Sequence, residues 1–285
     1  MHRIDWFGTI GIIGVCVWVT GCVTTAAFAA PLQEFAEQRD LAEQRAPELD
    51  FAKIFQLDPN WKQLGQENAI WIDRDKHRVI VGGQICLTAG MLEMFACPRG
   101  TREHESIVAV QVPSRIVHAA LLAVGAKPGS PVQFDPEYKP ATGPKVQIHV
   151  RWIDQEKPVE RRAQEMMRQV RTKEPMTQDW VFGGSLRWKD ETTGTEYYSA
   201  DGGELVCVSN FGNATMDLPI SSSAANASLL FEANPEKIPP LRTPVLLILQ
   251  PEVAVDEKKP AQPANLSGER PSQSTEPDKR SDETT

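Results

Sequence analysis

Between residues 69 and 251 the apolar positions come in short runs, and most of those runs carry the two-residue period of a strand. Residues 69–73 and 78–87 are rich in β-branched and aromatic side chains. The polar Arg74, Asp75, Lys76 and His77 separate them, which predicts a hairpin. Residues 91–96 and 106–112 continue the sheet, and residues 98–105 between them read as a protruding loop. Pro113 and Ser114 then open a helix. Ser114 is placed as its N-cap, Ile116, Val117, Ala120, Leu121 and Val124 share one face, and Gly125 ends it. Residues 127–145 are rich in Pro and Gly, with one short extended piece at 132–134. In 145–153, Val146, Ile148 and Val150 alternate with Gln147, His149 and Arg151, a strand with one wet face. A second helix is expected from Pro158, with Val159, Ala163, Met166, Met167 and Val170 on one side. Runs at 180–188, 196–199 and 204–209 read as a meander, and 229–233 and 245–249 as closing strands. The expected class is α+β: one domain with a mostly antiparallel sheet and two main helices.

The ends of the chain have a different pattern. After Arg3, residues 6–19 are apolar but shorter than a comfortable membrane span, and they read as the core of a signal peptide. Val19-Thr20-Gly21-Cys22 has the form of a lipobox, with Cys22 as the lipidated residue; Ala27-Phe28-Ala29 has the form of an ordinary cleavage site. An uncleaved anchor is the third reading, and Asp5 is an unusual residue for any of them. Each version delivers the rest of the chain to the cell envelope, outside the cytoplasmic membrane, attached by lipid or by the apolar segment. The expected organisation is a leader over 1–30, a helical spacer over 31–56 with Ala-Glu-Gln-Arg repeated, a domain over 57–251 and a disordered polar tail over 252–285. A hydrophobic content of 41% suffices for a core. A net charge of -8 argues against nucleic acid as a partner.

The densest group of ionisable side chains falls in 86–105. Cys86 and Cys97 lie there and read either as a disulfide or as two buried thiols. Glu103, His104 and Glu105, with Glu93 or Cys97, are metal-ligand candidates, and Cys207 is a further thiol for a metal or redox role. Arg99 and Arg102 around Gly100 are anion-binding candidates. The alternative is a polar loop whose Thr101, Glu103 and Ser106 bond to backbone. No Walker, Gly-x-Ser-x-Gly or His-Glu-x-x-His pattern occurs, so no catalytic set is assigned and the cofactor is unknown.

Gln84-Ile85-Cys86-Leu87, Leu92-Glu93-Met94-Phe95-Ala96-Cys97 and Gly100-Thr101-Arg102-Glu103-His104-Glu105-Ser106 resemble the signature of the YdjY domain family. Asp179-Trp180-Val181-Phe182-Gly183-Gly184-Ser185 and Asp201-Gly202-Gly203 fit it too, and the resemblance spans roughly residues 71–249. The ferredoxin-like label attached to that family implies iron–sulfur clusters and electron transfer. Such clusters take a full set of closely spaced thiolates. Residues 57–251 offer Cys86, Cys97 and Cys207, with no Cys-x-x-Cys. The leading expectation is therefore an exported or membrane-attached binding or accessory module, its protein or small-molecule partner unknown. A metal- or thiol-dependent redox protein is the alternative.

Overall fold

The computed structural model describes residues 49–225 and 228–253; the expected leader, Cys22, most of the spacer and nearly all of the tail lie outside them. The packed unit begins with a single helical turn, α1 (Phe51–Ile54), followed by β1 (Lys62–Gln63), β2 (Ile70–Asp73) and β3 (Arg78–Ile85). Then come β4 (Met91–Leu92), β5 (Met94–Pro98), β6 (Val108–Val110) and a longer helix, α2 (Ser114–Ala123). β7 (Lys145–Asp154), β8 (Lys157–Arg162), β9 (Met167–Gln169) and β10 (Trp180–Phe182) precede the hairpin β11 (Arg187–Lys189) and β12 (Glu196–Tyr198). The chain closes with β13 (Val206–Cys207), β14 (Met216–Asp217), β15 (Phe231–Ala233) and β16 (Pro244–Pro251).

Eight of these strands form a closed barrel in the order β3-β16-β7-β10-β14-β13-β5-β6, with β6 returning to β3. The expected α+β domain is thus corrected to a mostly β barrel with two short helices. β1, β2 and β8 extend the barrel wall, while β4-β15-β9 and β11-β12 form two small separate sheets. Within the ring, β5–β6 and β13–β14 run parallel and the other pairs antiparallel. A barrel of this size has an interior filled by side chains. Val146, Ile148, Val150 and Trp152 of β7 supply one wall of that core while Gln147 and His149 turn outward, as the alternation predicts. Phe95 and Trp180 lie with ring centroids 5.7 Å apart, and the indole N–H of Trp180 donates to the Cys207 carbonyl at 2.8 Å.

β3 is the strand on which closure depends. Its first half pairs with β2 and its second half with β6 on the same edge, while β16 runs along the other. Gly82 sits where the partner changes; a Cβ there would come within 2.7 Å of the Phe51 ring, so glycine is required by close approach.

The second expected helix is not formed. Residues 157–162 are strand β8, which pairs with β7 through a turn whose Gln155 and Glu156 have φ of 45° and 64°. A 3-10 turn at Ala163–Met166 and strand β9 follow. The apolar spacing from Val159 to Val170 mimicked a helical stripe because those residues pack through a strand, a turn and a second strand in succession. α2 forms where expected, yet Ser114 does not cap it. Its hydroxyl donates to the Ala200 carbonyl at 2.8 Å, and Asp201 accepts from the Arg115 N–H at 2.9 Å, so the helix start is satisfied from a distant turn.

Candidate functional site

Because β5 and β6 are parallel neighbours, the chain leaving β5 at Pro98 must travel back along the barrel before β6 can begin. Residues 99–107 make that return. They lie against the wall as a half-buried loop with a 3-10 turn at Glu103–Glu105, not as the protruding loop the sequence suggests. Two of its internal bonds are those expected of a polar loop: the Thr101 hydroxyl donates to the Pro98 carbonyl, and the Gly100 N–H donates to Glu103.

The return path brings loop groups to the cysteines. Cys86, just past the end of β3, is partly exposed and donates its S–H to the Ser106 carbonyl at 3.1 Å. Cys97, on β5, is fully buried. The two sulfurs lie close enough to perturb each other's ionisation, and neither is in a disulfide. The Cys97 thiol lies below its ordinary value because the Cys86 S–H stabilises its thiolate, with further help from the Ser106 hydroxyl and the Arg102 N–H against the cost of burial. Cys86 is pushed far up by the neighbouring Cys97 sulfur and by burial. Ser106 Oγ is buried and has no hydrogen-bond partner among the described residues, which leaves its proton free for that sulfur.

Arg102 fixes the loop. Its guanidinium lies 2.9 Å from Glu105, 2.9 Å from Glu204 and 3.6 Å from Glu93, and its Cζ stands 5.4 Å from the centre of the Phe211 ring. Glu204 is 4% exposed, and its Oε2 has no hydrogen-bond partner among the described residues. Burial and the nearby Glu105 raise the Glu93 carboxyl above its usual range. One cation against three carboxylates gives the cluster an excess of negative charge. Gly203, with φ of 141°, backs the arrangement: a Cβ on it would lie 2.7 Å from Arg102 Cγ.

Glu103 stays near enough to both thiols for its charge to oppose their ionisation, but His104, Arg99 and Cys207 do not join the pair. His104 has an exposed side chain and approaches Glu105 at 3.7 Å. Arg99 is exposed, and the Arg102 guanidinium is engaged by carboxylates. Cys207 packs with Met94 and Ala214 in a separate apolar cluster, its thiol raised well above the ordinary value by burial. Among the described residues no three His, Cys, Asp or Glu side chains are grouped to hold a metal ion. Two adjacent thiols and one remote thiol are also the wrong donor set for an iron–sulfur cluster. Glu204, Gly203 and Phe211 were not singled out from the sequence as parts of the site. The Asp201-Gly202-Gly203 run was the signal available for the first two.

The sequence model of the YdjY domain matches residues 70–250. No curated protein and no solved structure matches the chain.

Proposed function

The chain belongs to the YdjY domain family, and from that premise we propose that its barrel is a thiol–disulfide exchange module with Cys86 and Cys97 as the dithiol. One observation carries the reading: two free thiols lie side by side, Cys86 partly open to solvent and Cys97 shielded, and each perturbs the ionisation of the other. As the partly exposed Cys86 attacks a disulfide R–S–S–R from solution, its proton passes to the neighbouring Cys97 thiolate; a mixed disulfide forms on Cys86 and one R–S⁻ is released, which takes up a proton. The second cysteine of the pair then displaces the second R–S⁻, and the Cys86–Cys97 disulfide remains. Two electrons pass to the external disulfide, which leaves as two thiols. Cys86 is the sulfur a partner reaches, and Cys97 is the one the protein shields.

Equilibration in glutathione buffers followed by alkylation and mass measurement tests this. A single two-electron step between dithiol and disulfide is expected, with Cys97→Ser trapped as a glutathione adduct on Cys86. Retention of two free thiols in fully oxidised glutathione would sink the proposal.

The expectation of a binding or accessory module is the second reading, and a cavity of about 500 Å³ beside the β4-β15-β9 sheet favours it. Envelope delivery through the leader remains a proposal resting on the sequence, and an oxidising compartment suits the dithiol. Palmitate labelling with and without globomycin tests it: absence of label and unchanged size would remove the lipoprotein claim.

A further inference from the structure

The dithiol leaves one feature of the molecule unused, the cavity on the small sheet. Its walls are apolar: Met91 of β4, Phe231 of β15, and Val170, Ile220 and Leu230 around them. Met91 and Leu230 are 37% and 40% exposed, so apolar surface is kept at the opening. The volume of about 500 Å³ is in the range of small-molecule sites.

The polar part of the lining is cationic or amide. Arg171, Gln169 and Gln178 contribute to it, with Ser228. The neighbouring charges sort themselves without Arg171. Glu232 accepts from Arg168 at 2.6 Å and from Lys173 at 2.8 Å, so one carboxylate is shared by two cations. Its own carboxyl lies below its usual range, with the Lys173 hydrogen bond the largest cause. Arg171 has no ion pair among the described residues. In a chain of net charge -8, this edge carries an unmatched guanidinium at the mouth of an apolar cavity.

We infer that the cavity takes an amphiphile with one apolar chain and a single anionic head, the chain lying against Met91, Leu230 and Phe231 and the head meeting Arg171. The inference rests on the second reading above and is independent of the thiols. An apolar chain gains from burial against such walls, and a carboxylate suits the planar donor fork of arginine. The amides of Gln169 and Gln178 are further donors for the head.

Titration calorimetry of the full-length chain with dodecanoate and with 1-dodecanol separates the two levels of the claim. Dodecanoate is expected to saturate one site about tenfold more tightly than dodecanol, a gap of roughly 1.4 kcal/mol. Arg171→Gln should abolish that preference and leave dodecanol binding unchanged, and Leu230→Glu should weaken both. Equal affinity for the two chains, or an unchanged preference in Arg171→Gln, overturns the anionic head while the cavity survives as a binding site. Absence of saturable binding by either chain, or binding unaffected by Leu230→Glu, overturns the cavity reading as well.

Discussion

Replacing Arg102 by leucine would leave the carboxylates of Glu93, Glu105 and Glu204 facing one another, with the Glu204 side chain only 5% exposed. Breaking a buried charge cluster by deleting its cation costs on the order of 3 kcal/mol. Arg102→Leu is therefore expected to lower the urea midpoint markedly at neutral pH and less at pH 4, where the raised Glu93 carboxyl is protonated. An equal loss at both pH values would refute that account. A second residue-scale prediction concerns Asp217. It is 1% exposed, and burial raises its carboxyl to about 7 although the N–H groups of Asn210, Phe211 and Leu218 all donate to it. Unfolded, it would lose its proton near 3.8. Between those values the folded state binds the extra proton, so stability falls as pH rises from about 4 to about 7. The difference amounts to on the order of 4 kcal/mol at most. Asp217→Asn removes the ionisation, and its unfolding midpoint should decline less than that of the parent between pH 5 and pH 8. Parallel pH profiles would mean that Asp217 ionises as freely in the folded chain as in the unfolded one.

Elements differ in how openly the sequence declares them. The hairpin β2–β3 was legible because both strands carry apolar runs, Ile70–Ile72 and Val79–Val81, on either side of a polar turn, and β7 because its two-residue alternation stands against a wet exterior. β8 was not, since its residues are mostly exposed or half-exposed and Pro158 imitates a helix start. The short strand β14 gave no signal at all. The return loop was visible as a loop, but the parallel pairing of β5 with β6, which presses it onto the cysteines, depends on strands whose partners lie elsewhere in the chain. So the thiols were legible as candidates, whereas their contact and the role of Arg102 were not. Gly203→Ala tests how closely one turn supports the site. The new Cβ would meet Arg102 Cγ at 2.7 Å on a backbone with φ of 141°, costing about 1–3 kcal/mol. Displacing Arg102 also moves the N–H that favours the thiolate. Iodoacetamide should then react with the dithiol only at higher pH than in the parent. An unchanged pH profile would separate the turn from the thiols.

Closure makes the whole barrel depend on its last strand. β16 pairs with β3 from Leu249↔Val79 to Pro244↔Gln84 and with β7 from Leu246↔Arg151 to Pro251↔Val146, so residues about as far apart as the domain allows hold it shut. Removing it would expose edges on β3 and β7, along with Val79, Val81, Val146 and Ile148 beneath them. A chain ending after residue 240 should therefore lose cooperative unfolding and aggregate, whereas one ending after residue 253 keeps every strand of the ring. The same geometry sets the rate of folding. Pairings between β3 and β16 must be formed against the entropy of closing nearly the entire domain, so refolding is expected in milliseconds to seconds or slower. Gly82→Ala reports on this step: its Cβ would clash with the Phe51 ring at 2.7 Å where β3 changes partner from β2 to β6. If closure around β3 comes late, that substitution speeds unfolding and leaves the refolding rate nearly unchanged. A refolding limb slowed in proportion to the lost stability would instead put the β3 junction in the folding nucleus, and the barrel would then close early around it.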